Sequence, residues 1–435
     1  MRLDHLHHHL SRRQMLGAIA AAGAAATVGV GALASPAHAR ETDDGTDDND
    51  GTGGAARGAK PLAATSYDDI IDIAGGLRGE WAKATSARYG ADDQRGTMNE
   101  ITPAKTARAL RMLDRCGAVV THNLGQLLVN GTPGYVTFPP RKFDMRLTAL
   151  GYTPGDPTKW FSTTTRGIPG EDEWRTADRS RGPLGYQQGL TPFGTNQLSG
   201  HEERFPEGGT YQISTQLDGL AHIGLVDTFY NGFKASEFAK PTGVTKLGIE
   251  HVGPIVTRGV LIDVLGWKQS KGGADVQTVN GKPMLTDTYR ITIDDLVATM
   301  KWEGVRKIER GDAVLIRTGW NQLAIDPTTY TKYLATEPGI YIREAKYLGD
   351  HYPALIGADS WALEVVRPTD PSGYAFGVHS ELIPKRGIRI GEGIVTDSLA
   401  EEGTHTFVYC YSPNYAQGAT AGCTAPFALT TGAKD

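Results

Sequence analysis

The sequence predicts a mixed α/β fold, and the pattern of apolar residues along the chain supports this fold class. Segments with helical apolar spacing alternate with short apolar segments typical of strands. The alternation lacks the regular rhythm of parallel strand–helix–strand units, and no segment repeats along the chain. With 435 residues, the chain is long enough for one large domain or two ordinary ones.

Three helices are predicted from apolar spacing and capping residues. Residues 67–84 place isoleucine, leucine and tryptophan at helical intervals. At residues 102–115, a threonine followed by a proline supplies an N-cap and a first-turn proline. A capping box opens the third helix, over residues 292–302.

Five further segments are rich in apolar and β-branched residues and predict strands. They are flanked by glycine, proline or charged residues, which favour turns at their ends. The predicted strands are 118–129, 255–265, 312–316, 354–356 and 404–411.

Composition and motifs exclude several classes of protein. The formal net charge is −5, whereas a nucleic-acid-binding protein usually carries an excess of positive charge. The sequence has no P-loop, no Rossmann glycine motif after a predicted strand, and no G-x-S-x-G elbow that pairs with a triad. We therefore expect a small-molecule substrate and no nucleic-acid partner.

The first 39 residues have the layout of a twin-arginine export signal. Arg12 and Arg13 precede an alanine- and glycine-rich apolar stretch over 15–34, and Ala37–Ala39 matches an A-x-A cleavage site. A membrane anchor is the alternative, but the stretch is only weakly hydrophobic. We expect removal of residues 1–39, an extracellular or cell-envelope protein, and no membrane contact afterwards.

Two segments of the exported chain have the composition of loops. Residues 40–60 carry six acidic residues and no large apolar one, which predicts a disordered linker rather than a calcium loop. A single catalytic domain is expected over 61–435. Within it, residues 141–209 form a loop-rich insertion that either covers a substrate site or packs on the surface.

The three cysteines, Cys116, Cys410 and Cys423, show no C-x-x-C spacing and are too few for a disulfide scaffold. Export would permit one disulfide, between Cys410 and Cys423, with Cys116 buried. The alternative is that the chain contains no disulfide.

Polar residues concentrate in segment 211–222. Asp218 and His222 are four residues apart, so on a helical turn they would share one face and could hold a metal or a water molecule. A surface ion pair is the ordinary interpretation of this spacing. On a strand, Gln212, Gln216 and Asp218 would share one face, which is too polar for an ordinary core.

A second such segment follows at 377–392. His379 precedes an apolar alternation that ends in Glu392, and these two could bring another imidazole and carboxylate to the same site. Taken alone, they would be a packed surface histidine and a solvent-facing strand residue.

These two segments, in this order, resemble the Putative cyclase family of metal-dependent hydrolases, which includes bacterial kynurenine formamidase and isatin hydrolase. The family motif H-x-G-T-H-x-D-x-P-x-H lies over residues 212–222 position by position. The resemblance spans roughly residues 96–430. Its other landmarks lie at 96–103, 258–264, 316–320, 357–361 and 379–392.

The departures from the motif bear on the metal. Its first two histidines are Gln212 and Gln216 here, and an amide oxygen is a harder and weaker ligand than an imidazole. The resemblance implies that His222 and Asp218 are catalytic, with His222 as the base and then the acid, and that Gln212 contacts a ligand or the substrate. The implied ligands of a manganese or zinc ion are Gln216, Asp218, His379 and Glu392.

The resemblance also implies a swivelling β/β/α domain with a mixed sheet, assembled as a homodimer or homotetramer. The implied activity is hydrolysis of an amide, cyclic imide or lactone carbonyl by metal-activated water. Two alternatives stay open: a polyketide-type cyclase or dehydratase, and an exported binding protein with a degenerate metal site.

Overall fold

A computed structural model describes residues 66–431, apart from positions 114–116, 136–140, 142, 144, 151–194, 197–199, 206–208 and 371. The predicted export signal, the acidic linker, Cys116 and most of the predicted insertion lie outside the described residues. Among those that are described, no helix combines the length and the hydropathy needed to cross a membrane.

A mixed sheet of nine strands forms the centre of the fold, and two-stranded sheets lie beside it. In chain order, the strands are β1 (Val119–Asn123), β2 (Arg146–Leu150), β3 (Gly200–Arg204), β4 (Gln216–Asp218), β5 (Ala239–Lys240), β6 (Gly243–Val244), β7 (Ile255–Ile262), β8 (Val276–Val279), β9 (Lys282–Leu285), β10 (Ala313–Ile316), β11 (Leu355–Ala358), β12 (Arg389–Glu392), β13 (Thr406–Tyr411), β14 (Ala421–Gly422) and β15 (Phe427–Thr431).

The order across the main sheet is β1-β15-β13-β7-β10-β11-β12-β4-β14. The central strands β7, β10, β11 and β12 are parallel to their neighbours in this group. The outer strands pair antiparallel on both sides of them. The mixed α/β fold predicted from the sequence is therefore confirmed.

The α-helices connect and cover the strands. They are α1 (Ile73–Leu77), α2 (Glu80–Tyr89), α3 (Pro103–Leu110), α4 (Ala235–Phe238), α5 (Val264–Ser270), α6 (Ile293–Trp302), α7 (Tyr330–Ala335), α8 (Ile342–Gly349), α9 (Gly377–Arg386) and α10 (Asp397–Glu401). Short 3-10 helices lie at Gly96–Glu100, Tyr230–Gly232, Ile249–His251, Trp320–Ala324 and Pro327–Thr329.

Hydrophobic residues bury both faces of the parallel strands. In β10, Val314 and Ile316 enter the core on one face, and Ala313 and Leu315 enter the core on the other. This follows from the alternation of side chains along a strand. Trp320 is fully buried, so it belongs to the core.

Some of the helices and strands predicted from the sequence are confirmed, and others differ in the structure. The helix over 292–302 is confirmed, and Thr292 and Asp295 form the capping box. The single helix predicted over 67–84 is wrong, because Gly79 adopts a left-handed conformation with φ of 74° and separates α1 from α2. The strand observed within 118–129 is shorter than predicted, because its pairing with β15 ends at Asn123.

Candidate active site

The sheet register brings two of the predicted site residues side by side. Strands β4 and β12 pair antiparallel, and Gln216 lies opposite Glu392 in that register. Asp218 is the last residue of β4. His222 lies in the turn that follows, and its backbone N–H donates to the Gly219 carbonyl at 3.1 Å. The strand interpretation of this segment therefore holds for Gln216 and Asp218.

The third residue of α9, His379, completes the cluster. Its Nε2 lies 3.2 Å from Glu392 Oε1 and 3.5 Å from Asp218 Oδ2. The helix begins after Phe376, a non-glycine residue with φ of 52°. Such a conformation costs free energy and is concentrated at functional sites. Here it sets the start of α9, and with it the position of His379.

Glu364 fixes the orientation of His379, a role that no motif in the sequence predicts. Its Oε1 accepts from His379 Nδ1 at 2.7 Å. The backbone N–H groups of Val378 and His379 also donate to this carboxylate, both at 3.2 Å. Because Nδ1 carries the hydrogen of this bond, a neutral His379 presents a lone pair at Nε2. That lone pair faces Asp218 and Glu392.

The two glutamines lie beside these carboxylates. Gln216 Nε2 donates to Glu392 Oε2 at 2.7 Å and to Asp218 Oδ1 at 3.2 Å. Gln216 thus presents its amide nitrogen to both carboxylates, and its predicted role as an oxygen ligand would require the amide to reverse. That ligand role stays a prediction. Gln212 Nε2 lies 3.1 Å from His222 Nδ1.

Burial and neighbouring charges shift the pKa values of all four ionisable residues. Burial, followed by the charge of Asp218, raises the pKa of Glu392 to about 7. Burial opposes ionisation of Asp218, but His222 and His379 outweigh it and hold its pKa below the usual range. Burial disfavours the charged form of both histidines, and it lowers the pKa of His222. At His379 the surrounding carboxylates outweigh burial and raise the pKa well above the usual range.

The donor set fits a divalent cation. Asp218 Oδ2 is buried and, among the described residues, has no hydrogen-bond partner. It faces His379 Nε2 at 3.5 Å and His222 Nε2 at 3.8 Å, and one ligand atom from each of these three residues lies within 4.8 Å of the others. An orphaned carboxylate oxygen among potential metal ligands is expected where a cation binds.

A cavity of about 100 Å³ opens onto this cluster. Its wall includes Tyr135 and Trp361, whose rings stack with centroids 4.9 Å apart, and Phe376, which meets both rings edge-on. Arg141 also lines the cavity, with its guanidinium 5.9 Å from the centre of the Tyr135 ring. The cavity therefore combines an apolar aromatic wall with one cationic group and the His222, His379 and Glu392 side chains.

The geometry defines the protein as an α/β protein with a buried carboxylate–histidine cluster beneath an aromatic cavity. Comparison with known proteins then shows which family the chain resembles. The family model described as Putative cyclase matches residues 180–365. A crystal structure described as a novel cyclase is similar at 27% sequence identity, covering 79% of this chain and 98% of that chain, with a TM-score of 0.57. The resemblance to the Putative cyclase family is confirmed.

Other solved structures are similar at lower identity. Isatin hydrolase A from Ralstonia solanacearum has 15% identity over 76% of this chain and 97% of that chain, with a TM-score of 0.46. Isatin hydrolase A from Labrenzia aggregata, bound to benzyl benzoate, has 16% identity over 72% of this chain and 94% of that chain, with a TM-score of 0.44. A search of curated proteins found no match.

The structure brings together every residue predicted for the site: Gln212, Gln216, Asp218, His222, His379 and Glu392. Their roles stay predictions, as does the replacement of two family histidines by Gln212 and Gln216. Glu364 and the cavity residues Tyr135, Arg141 and Phe376 were not predicted from the sequence.

The structure also describes two of the cysteines and Arg317. Cys410 and Cys423 are both free thiols, so the disulfide between them is wrong; Cys423 Sγ instead donates to the Ile213 carbonyl at 3.3 Å. Arg317 forms ion pairs with Asp263 at 3.1 Å and Asp397 at 3.0 Å. It is thus a structural ion-pair residue.

Proposed function

We propose that this protein is a metal-dependent hydrolase that cleaves an amide, cyclic imide or lactone carbonyl with metal-activated water. The observation that carries the proposal is the buried Asp218 Oδ2, which accepts no hydrogen bond from the described residues and lies 3.5 Å from the Nε2 atom of His379. The family resemblance and the aromatic cavity above the cluster support the same conclusion.

Asp218, His379 and Glu392 are the residues that would hold the cation. Two ligand atoms of one zinc or manganese ion lie roughly 3.0–3.5 Å apart, given bonds of about 2.0–2.2 Å. His379 Nε2 already lies 3.5 Å from Asp218 Oδ2 and 3.2 Å from Glu392 Oε1. A set of two carboxylates and one imidazole suits zinc or manganese.

Each group then has a distinct task. A bound divalent cation would lower the pKa of water and polarise the substrate carbonyl. Glu364 holds His379 with its Nε2 lone pair toward the carboxylates. Gln216 binds one oxygen of Asp218 and one of Glu392, which leaves Asp218 Oδ2 and Glu392 Oε1 free to face the cation. His222 lines the cavity, and we expect it to contact the reacting carbonyl group.

Metal content and activity of the purified full chain test the proposal. We expect manganese or zinc in elemental analysis, and metal-dependent hydrolysis of one class in a panel of cyclic amides, N-formyl amines and lactones. Asp218→Asn should lose both metal and activity. His222→Ala should lose activity, by roughly a hundredfold or more, while retaining metal. A strictly metal-free chain that still binds a ligand through this face would contradict the proposal and favour a binding protein.

Export and assembly belong to the same proposal. The twin-arginine signal over residues 1–39 supports export, and the family resemblance supports a homodimer or homotetramer. Cell fractionation tests the first, and the molar mass in solution tests the second.

A further inference from the structure

A chain of hydrogen bonds runs from the buried carboxylates through two glutamines to His222. Gln216 Nε2 donates to Glu392 Oε2 and to Gln212 Oε1, both at 2.7 Å. Gln212 Nε2 continues the chain and lies 3.1 Å from His222 Nδ1. Both glutamines are buried, with exposed fractions of 8% for Gln212 and 2% for Gln216, so water does not compete strongly for these bonds.

The carboxylates determine the direction of this chain. If the Gln216 amide were reversed, its carbonyl oxygen would lie against Glu392 Oε2 and Asp218 Oδ1, and two such contacts between acceptors are unfavourable in a buried site. The nitrogen of Gln216 therefore faces the carboxylates and also donates to Gln212. Reversing Gln212 would place two amide nitrogens 2.7 Å apart. The Gln212 oxygen thus faces Gln216, and its nitrogen faces His222.

The direction of the chain determines where a neutral His222 carries its hydrogen. Because Gln212 donates to Nδ1, that nitrogen must accept, and the hydrogen is on Nε2. A neutral His379 would have the opposite arrangement, since its Nδ1 donates to Glu364 and the lone pair would lie on Nε2. Distance alone would admit both histidines as ligands. A nitrogen that carries hydrogen, however, cannot ligate a metal.

We propose that the Gln216–Gln212 chain holds His222 in its Nε2–H form, which keeps His222 out of the metal ligand set and presents an N–H donor to the cavity. His222 then donates a hydrogen bond to the oxyanion that forms at the substrate carbonyl, without transferring its proton. This differs from the base role that the family resemblance implies. The role toward substrate rests on the proposed hydrolase function, whereas the position of the hydrogen does not.

The position of the hydrogen can be measured in the metal-free full chain labelled with ¹⁵N-histidine. Long-range ¹H–¹⁵N correlation spectra distinguish a protonated ring nitrogen from an unprotonated one. We expect His222 to show hydrogen on Nε2 alone. Gln212→Glu, which supplies an acceptor to Nδ1, should move the hydrogen to Nδ1. His122, which contacts the hydroxyls of Ser398 and Thr430, is the internal reference and should not change. A wild-type His222 with hydrogen on Nδ1 would overturn the proposal.

Addition of Zn²⁺ separates this inference from the proposed function. We expect the His379 signals to shift on zinc binding while His222 keeps its Nε2 hydrogen. Loss of that hydrogen on zinc binding would overturn the proposed ligand exclusion. If zinc does not bind at all, the metal-dependent function fails, but the Nε2–H form observed in the metal-free chain still supports the hydrogen-bond chain.

A conservative variant distinguishes a donor from a base. Gln at position 222 can donate an N–H but cannot act as a base near neutral pH. On any substrate that the panel identifies, His222→Gln should retain at least tenfold more activity than His222→Ala. Equal losses in the two variants would contradict the donor role.

Discussion

Replacing Glu364 by Gln tests whether the orientation of His379 controls metal affinity. The Glu364 side chain is almost fully buried and accepts from His379 Nδ1 at 2.7 Å and from two backbone N–H groups at 3.2 Å. A glutamine offers one acceptor oxygen instead of two, so either the imidazole or a backbone N–H would face an amide NH₂ group. Loss of such an outer carboxylate typically lowers metal affinity 10- to 100-fold, or about 1.4–2.7 kcal/mol.

Calorimetric titration of the full chain with Mn²⁺ and Zn²⁺ measures this effect. Glu337→Gln is the matched control, because Glu337 is equally buried. Its carboxylate accepts only from the backbone N–H groups of Trp361 and Ala362, at 2.8 and 3.0 Å, among the contacts of the described residues. We expect at most a small change in the control. Equal losses of affinity in both variants, or no loss in Glu364→Gln, would refute the reasoning.

Three further predictions concern the glutamines, the metal-linked proton and stability. In a chelator competition assay, Gln216→His should bind Zn²⁺ roughly tenfold more tightly than wild type, whereas Gln216→Leu should not. If the histidine variant binds Zn²⁺ no more tightly, residue 216 does not lie at the metal site. Because the pKa of His379 lies well above its usual range and that of Glu392 is about 7, cation binding at pH 7 should release about one proton from His379 and a fraction of one from Glu392, visible as a dependence of the binding enthalpy on the buffer. Burial raises the pKa of Asp359 to about 6. The unfolded chain therefore loses this proton first, and the contribution of Asp359 to the free energy of unfolding should fall by up to about 3 kcal/mol as pH rises from about 4 to 6. Urea unfolding at several pH values should show this fall as the difference between wild type and Asp359→Asn.

Local sequence patterns predicted the elements whose ends depend on local contacts. The capping box at Thr292 needs only residues within one turn, and it opens α6 where predicted. The break at Gly79 was missed, since apolar spacing continues across it and its left-handed conformation leaves no mark on that spacing. The end of β1 was missed for a different reason. It is determined by pairing with β15, more than 300 residues away in the sequence.

The residues of the candidate site could likewise be predicted only where a local motif carries them. Gln216, Asp218, His222, His379 and Glu392 could be predicted because two short motifs carry them in order. Glu364 has no motif of its own, and its role arises because the chain after β11 returns to the start of α9. The aromatic cavity likewise forms from positions distant in sequence, and only packing brings them together.

The buried charges explain why the two glutamines increase the need of this site for a cation. Three carboxylates, Asp218, Glu364 and Glu392, lie within 3.5 Å of the His379 ring. Among the described residues, the imidazolium of His379 and Arg141 in the cavity wall are the positive groups beside them, and the raised pKa of Glu392 agrees with a proton that partly offsets the excess. Histidines at positions 212 and 216 could each become cationic, whereas glutamines cannot. The predicted replacement therefore removes two possible positive charges. At neutral pH, a bound cation would then stabilise all three carboxylates in their ionised form.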